Sequence, residues 1–349
     1  MQLHGALLAV VLTMAVVFSA GAGDVCAQSL QVGIIDFYGL HRVTEAQARA
    51  ALTVKEGDIV SIVDEMPPAF VVESERRLSA LAGVRQAYLN VTCCDAGRGI
   101  VFVGLEEQTA PAVRFRQAPR GRVRLAPEVV QAGRELSQAW MAAVQRGDTA
   151  EDRSQGHSLL HDPGARAIQQ RFIGYAGRDI RWLRDVLRHS SDDEHRALAA
   201  EILAYAPDKR DVIGDLVQGM NDASASVRNN AARALVVIAG AKATVLRGRL
   251  QIPAGPFIRL LNSPVWTDRN KASLALMELS ADRDPELLAA LRTRAIVPLV
   301  EMARWKSEGH AMPAFKILGR IAGRSDEDID TAWVRGDRDA IVNLALGLR

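Results

Sequence analysis

Val227-Arg228-Asn229-Asn230-Ala231-Ala232-Arg233-Ala234-Leu235 is a small-residue-rich helical phrase, and the chain repeats it. An earlier copy reads His195-Arg196-Ala197-Leu198-Ala199-Ala200-Glu201-Ile202-Leu203. Two later ones read Arg269-Asn270-Lys271-Ala272-Ser273-Leu274-Ala275-Leu276 and Ala311-Met312-Pro313-Ala314-Phe315-Lys316-Ile317-Leu318. The arginine positions or their equivalents, 196, 228, 269 and 311, are spaced by 32, 41 and 42 residues. Such intervals suit two-helix units that must stack, because none can bury its apolar face alone. In the clearest copy Val227, Ala231, Ala234, Leu235 and Ile238 share one helix face. Its alanines let a neighbouring helix approach closely.

Each phrase follows a more hydrophobic helix, at residues 180–187, 212–220, 256–261 and 296–303. Polar turns such as Ser190-Ser191-Asp192-Asp193 and Asn221-Asp222-Ala223-Ser224 separate the pairs. The pattern resembles HEAT repeats over residues 165–349, and Asp222 with Val227-Arg228 and Ala231-Ala232 carries the resemblance best. The resemblance implies an all-α solenoid in which Asp222 and the arginines Arg196, Arg228 and Arg269 bridge adjacent repeats. The fourth copy departs, with Ala311 in the arginine position and Pro313 expected in the first helical turn, where proline is tolerated. Residues 337–348 provide one more helix, expected to cap the array.

Residues 28–107 read as a small α+β module. Leu30, Val32 and Ile34 alternate along a strand that stops at Gly39. Thr44 and Gln47 make a capping box for a short helix ending near Leu52. Pro67-Pro68 precede a second helix with Val72, Leu78 and Leu81 as its apolar residues and Gly83 as its stop. Leu89, Val91 and Cys93 then alternate with Tyr88, Asn90 and Thr92, and the turn at 95–99 leads into a last strand at 100–106. The order β-α-α-β-β resembles a POTRA (polypeptide-transport-associated) domain. The matching stretches are 35–39, Val43-Thr44, Glu56-Gly57-Asp58, Leu81-Ala82-Gly83-Val84 and 101–106. That resemblance implies a module beside envelope assembly or transport machinery, with a client-binding strand edge at Tyr88, Asn90 and Thr92. No run of alternating ten-residue strands follows, so no membrane β-barrel is read here. A spacer or docking role is therefore favoured over client handling.

The remaining segments set the compartment and limit the chemistry. Residues 6–20 are apolar or small, and Val25-Cys26-Ala27 precedes Gln28, which fits a cleavable secretory signal at 1–27. A retained anchor is the alternative, though the stretch is short for a span. Net charge is +2 in 349 residues, and signal-directed export further argues against a nucleic-acid partner. The 37 arginines against six lysines discount any single arginine cluster. Cys93 and Cys94 are read as strand residues, with Cys93 in the core and Cys94 facing away, in preference to a redox or metal pair. A connector at 108–164 starts as a solvated Pro/Gly linker, in which Arg114, Arg116, Arg120, Arg122 and Arg124 offer a weak contact for an anionic envelope surface. One amphipathic helix at 127–145 follows, then a mobile polar stretch at 146–160. His157 and His161 have the i, i+4 spacing of a helical metal pair but lack further ligands, so neither metal nor cofactor is expected. Asp326-Glu327-Asp328 reads as a solvated helix start, and Trp182, Trp266, Trp305 and Trp333 as core. No nucleophile–base, phosphate-loop or paired-carboxylate motif stands out. The expectation is an exported, non-catalytic scaffold of the cell envelope, in the periplasm or at the outer membrane, that binds protein partners. The alternative is an exported lyase-like or hydrolytic enzyme using the concave solenoid face.

Overall fold

The computed structural model describes residues 29–61, 67–110, 112–241 and 251–347. The expected signal segment at 1–27, with Cys26, lies outside them. The described residues divide into two compact units, one containing 114–256 and the other joining 29–113 with 257 onward.

In the first unit, helices α3 (Pro127–Gln145), α4 (Pro163–His189), α5 (Asp193–Leu203), α6 (Arg210–Gly219) and α7 (Ala225–Gly240) follow one another. Asp162 caps α4 through the Ala165 amide at 2.8 Å, with Pro163 opening the helix where its missing N–H costs nothing. Backbone angles leave the helical range at Asp179, so the hydrophobic helix expected from residue 180 is the second half of α4. The alanine faces of α5 and α7 are buried, including Ala199, Ala200, Ala231, Ala232 and Ala234. On α3 the buried residues are Val129, Ala132, Leu136, Trp140 and Ala143.

Two expectations for the connector are corrected. Residues 114–125 form a strap pinned to the helical layer, not a solvated linker. The Arg116 amide donates to Asn221 O at 2.9 Å, that of Gly121 to His189 O at 2.9 Å, and that of Leu125 to His195 Nδ1 at 2.8 Å. Trp182, half exposed and outside the core, donates its indole N–H to Arg124 O. Residues 151–160, expected to be mobile, form a hairpin of β5 (Glu151–Asp152) and β6 (Leu159–Leu160). His157 and His161 therefore stand on and after a hairpin, not on a helix face.

The second unit holds a four-stranded sheet in the order β2-β1-β4-β3, from β1 (Ser29–Tyr38), β2 (Ile59–Ser61), β3 (Val84–Asp95) and β4 (Arg98–Glu107). Strand β2 was not expected, so the order is β-α-β-α-β-β. The capping box of Thr44 and Gln47 opens α1 (Glu45–Ala51), and Pro68 precedes α2 (Ala69–Ser79). These two helices cover one sheet face, over Leu30, Val32, Ile35, Val101, Val103 and Leu105. A register shift between Val32 and Ile34 turns Ile34 to the opposite face, against the simple alternation. On α2 Val71, Ser74 and Leu78 are buried, and Val72 is exposed. A second shift, between Thr92 and Asp95, reverses the cysteine expectation: Cys93 is exposed and Cys94 packs against the core. The two are joined by a disulfide.

The other sheet face packs on helices from the far end of the chain. The helices of that end are α9 (Trp266–Leu279), α10 (Pro285–Arg294), α11 (Ile296–Ala303), α12 (Glu308–Ile321), α13 (Asp326–Arg335) and α14 (Arg338–Leu346), after the short α8 (Gly255–Leu260), and α9, α11 and α12 touch the sheet. Phe102 of β4 stacks on Trp266 with ring centroids 4.8 Å apart and lies 5.1 Å from Trp305. Tyr38 donates its hydroxyl to Pro264 O at 2.9 Å. The buried Asp36 carboxylate accepts from the amides of Lys306 and Ser307 at 2.8 and 3.0 Å, and so caps α12 from a strand. Gly104 is required here, because a β-carbon would meet Pro264 O and the Tyr38 ring. Pro313 lies inside α12 and beyond its first turn, which corrects its expected place, yet the helix continues to Ile321. Ser325 caps α13, whose first turn holds Asp326, Glu327 and Asp328. No helix among the described residues is long and apolar enough to cross a membrane.

Candidate functional site

The repeat arginines share one geometry. Arg196, Arg228 and Arg269 each donate to the carbonyl six residues upstream, on Ser190, Asp222 and Ser263, at 2.8, 2.9 and 2.7 Å. Each guanidinium thus satisfies the turn that enters its own helix. Two of them also reach forward. Arg196 makes a two-point contact with the Asp222 carboxylate at 3.0 and 2.8 Å, and Arg269 meets Glu301 at 2.8 Å. Arg228 lies over the Phe115 ring of the strap at 3.7 Å. Arg116 of the strap joins Asp222 as well. Burial alone would raise the Asp222 pKa, but Arg196 and Arg116 more than offset it and hold the carboxyl below its usual range.

The fourth copy, which has Ala311 in place of arginine, receives its guanidinium from elsewhere. The carbonyl six residues before Ala311 belongs to Trp305, and Arg338 of α14 donates to it at 2.8 Å. Arg338 also pairs with Glu308 at 2.9 Å. The terminal helix therefore supplies the contact that the repeat lost. Arg338→Ala should lower stability by about 1–3 kcal/mol by leaving that carbonyl without its charged donor. Denaturant unfolding checks this, and a change below the error of the measurement would contradict the assignment.

A cavity of about 40 Å³ opens in the first unit among α3, α4, α5, α7 and the β5–β6 hairpin. Its apolar wall is Leu136, Trp140, Leu160, Ala204, Ala234 and Val237, and its polar wall includes His157, Gln169, Glu201, Tyr205, Asn230 and Arg233. Glu201 and Arg233 hold the same place in successive repeat phrases, five residues after Arg196 and Arg228. Arg233 pairs with Glu151 of the hairpin at 2.6 Å, and burial pulls its pKa down to about 10. Tyr205 donates to Ser158 O at 2.9 Å, and burial raises its phenol. Lys209 donates to the carbonyls of Ala204 and Ala206, both at 2.8 Å, and contacts His157 Nδ1 at 3.1 Å. Burial and Lys209 lower the His157 pKa to about 4, so the ring is neutral at pH 7. Burial raises Glu201 to about 7, opposed by Arg233. No hydrogen-bond donor among the described residues reaches its carboxylate.

His310, in the second unit against Phe102 and Trp266, is also lowered to about 4 by burial and Lys271. A histidine lowered from 6.5 binds its proton more readily in the unfolded chain, so stability is lost as pH falls from 6.5 towards 4. Each of His157 and His310 should contribute a slope of up to roughly 1.4 kcal/mol per pH unit in that window. Glu201, with its pKa raised, contributes in the opposite direction between 4.5 and 7. The net expectation is acid destabilisation that His310→Gln reduces. An unchanged pH slope in that variant would contradict it.

The residues expected at a client-binding edge fall on β3, the end strand of the sheet order. Thr92 is buried, and Tyr88 and Asn90 are half-buried. The outward amides are those of Ala87 and Leu89, which donate to Ser79 Oγ at 3.1 Å and Glu75 Oε1 at 2.7 Å on α2. By strand alternation, the main-chain groups of Tyr88, Asn90 and Thr92 point to β4. The domain's own helix thus closes part of that edge. Of the strap arginines, Arg114, Arg120, Arg122 and Arg124 are exposed, whereas Arg116 is held against Asp222. No group of three or more metal-type ligands occurs among the described residues.

A family model of HEAT repeats matches residues 180–261, the stretch from the second half of α4 through α8. This helical part of the chain is therefore similar to HEAT repeats, and an α+β region precedes it in sequence. A comparison with curated proteins found no match.

Proposed function

We propose that the chain is a non-catalytic, exported scaffold of the cell envelope whose HEAT-like helices hold a protein partner. HEAT repeats generally mediate protein–protein interaction, and the match over 180–261 is the observation that carries this reading. The repeat arginines serve stacking, so recognition falls to the other faces of the helices. The export component rests on the apolar stretch at 6–20 and the Val25-Cys26-Ala27 site before Gln28. The POTRA-like strand order suggests that residues 28–107 dock to assembly or transport machinery. One sheet face there is taken by α9 and α12 and the edge amides of Ala87 and Leu89 by α2, which favours docking or spacing over client handling. The exposed Arg114, Arg120, Arg122 and Arg124 suit a weak contact with an anionic envelope surface.

The test is in-cell cross-linking of the full-length chain, followed by fractionation and mass spectrometry. The reading predicts a mature chain starting at Gln28 in the periplasm, cross-linked reproducibly to one or a few envelope proteins. A cytoplasmic chain that keeps residues 1–27 would overturn the export component. An exported chain without any reproducible cross-link would overturn the scaffold component.

A further inference from the structure

Every other charged side chain around the α3–α5–α7 cavity has a protein partner, and Glu201 is the exception. Arg233 is held by Glu151, Lys209 by two carbonyls and His157, and Arg153 by Glu151. Among the neutral groups, Tyr205 donates to Ser158 O, Gln169 accepts from Leu160 N, and Asn230 donates to Ala197 O. Arg233 is the one charged group that acts appreciably on Glu201 among the described residues, and it shares the single Glu151 carboxylate with Arg153. An ionised carboxylate only accepts, so whatever fills the cavity against Glu201 must bring N–H or O–H donors. An ammonium brings three, each charge-assisted. The opposite wall, with Leu136, Trp140 and Val237, suits methylene groups. The volume of about 40 Å³ admits one slender chain and no bulky ring system.

We propose that this cavity binds a single alkylammonium group, with the ammonium on the Glu201 carboxylate and the aliphatic stem along Trp140, Leu136 and Val237. A lysine side chain of a protein partner and a free aliphatic amine share this chemistry. The site does not depend on the scaffold reading, because a free amine would occupy it in either case.

Calorimetric titration of the full-length protein at pH 8 tests the proposal with three probes. These are n-butylammonium, N-acetyl-lysine methylamide and the neutral isostere N-acetyl-norleucine methylamide. Saturable binding is expected for an ammonium probe, at least about tenfold tighter than for the norleucine amide. Binding by the lysine amide assigns the source to a protein side chain, and binding by butylammonium alone assigns it to a free amine. Glu201→Gln should weaken ammonium binding by about tenfold or more while the chain stays folded. The same variant should unfold at a higher temperature than the parent at pH 8, because it removes a carboxylate whose ionisation opposes folding. That gain should shrink as pH falls through 7 towards 4.5. Equal binding of the lysine and norleucine amides overturns the proposal. So does undiminished ammonium affinity in Glu201→Gln, or no saturable binding of either amine.

Discussion

Asp222→Ala is expected to destabilise the protein by about 3–5 kcal/mol in denaturant unfolding, the cost of removing one partner from a buried ion pair. Asp222 is fully buried and receives the Arg196 fork at 3.0 and 2.8 Å, a second guanidinium from Arg116, and the Ser224 amide at 2.9 Å. Arg196 is itself almost fully buried and has no route to water once the carboxylate is gone. The substitution therefore strands charge at the junction of two repeats and unfastens the strap. Asp222→Asn should cost less, since it keeps an acceptor for Arg196 and the Ser224 amide. Asp208→Ala provides the contrast: the Asp208–Arg210 pair is exposed on both sides, and its loss should change stability by less than about 1 kcal/mol. Equal effects at Asp222 and Asp208 would mean that the bridge between repeats carries no special weight.

Trp266→Ala should cost about 3–5 kcal/mol, as expected for truncating a large core aromatic that neighbours cannot collapse to replace. Trp266 is buried against Phe102 of the sheet on one side and His310 of α12 on another. The indole thus joins three segments far apart in sequence. The loss should appear as a lower unfolding midpoint for both the strand residues and the C-terminal helices. A loss confined to the helices would show that the sheet does not depend on this contact.

The repeat phrase made the helical array legible because small residues at helical spacing leave few other packings. The resemblance to HEAT repeats implied structural roles for Arg196, Arg228 and Arg269. It did not show that Glu201 and Arg233, 32 residues apart, line one cavity. A signal was present, since the column five residues after each arginine position reads Glu201, Arg233, Leu274 and Lys316, and two neighbouring charges of opposite sign stand there. The hairpin that closes the cavity is only two residues long on each strand, too short for a periodicity to mark it. The sheet's second partner was hidden for a different reason. Asp36 and Ser307 are 271 residues apart, and no local pattern encodes such a pairing. Strand β4 nevertheless carried a hint, for Ile100-Val101-Phe102-Val103 is apolar on both faces, as a strand buried on both sides must be. Alternation failed at Ile34 and at Cys93-Cys94 because a bulge shifts the register at each place.

The α+β region and the C-terminal helices belong to one compact unit, although 143 residues of the other unit intervene, and that unit should unfold as one. Native-state hydrogen exchange of the full-length chain under increasing denaturant tests it most directly. The amides of β1 and β4 should lose protection in the same opening as those of α9 and α12, and Trp266→Ala should speed all four together. Protection of β1 and β4 that outlasts α9 and α12, unaffected by Trp266→Ala, would contradict the claim and restore the α+β region as an independent module.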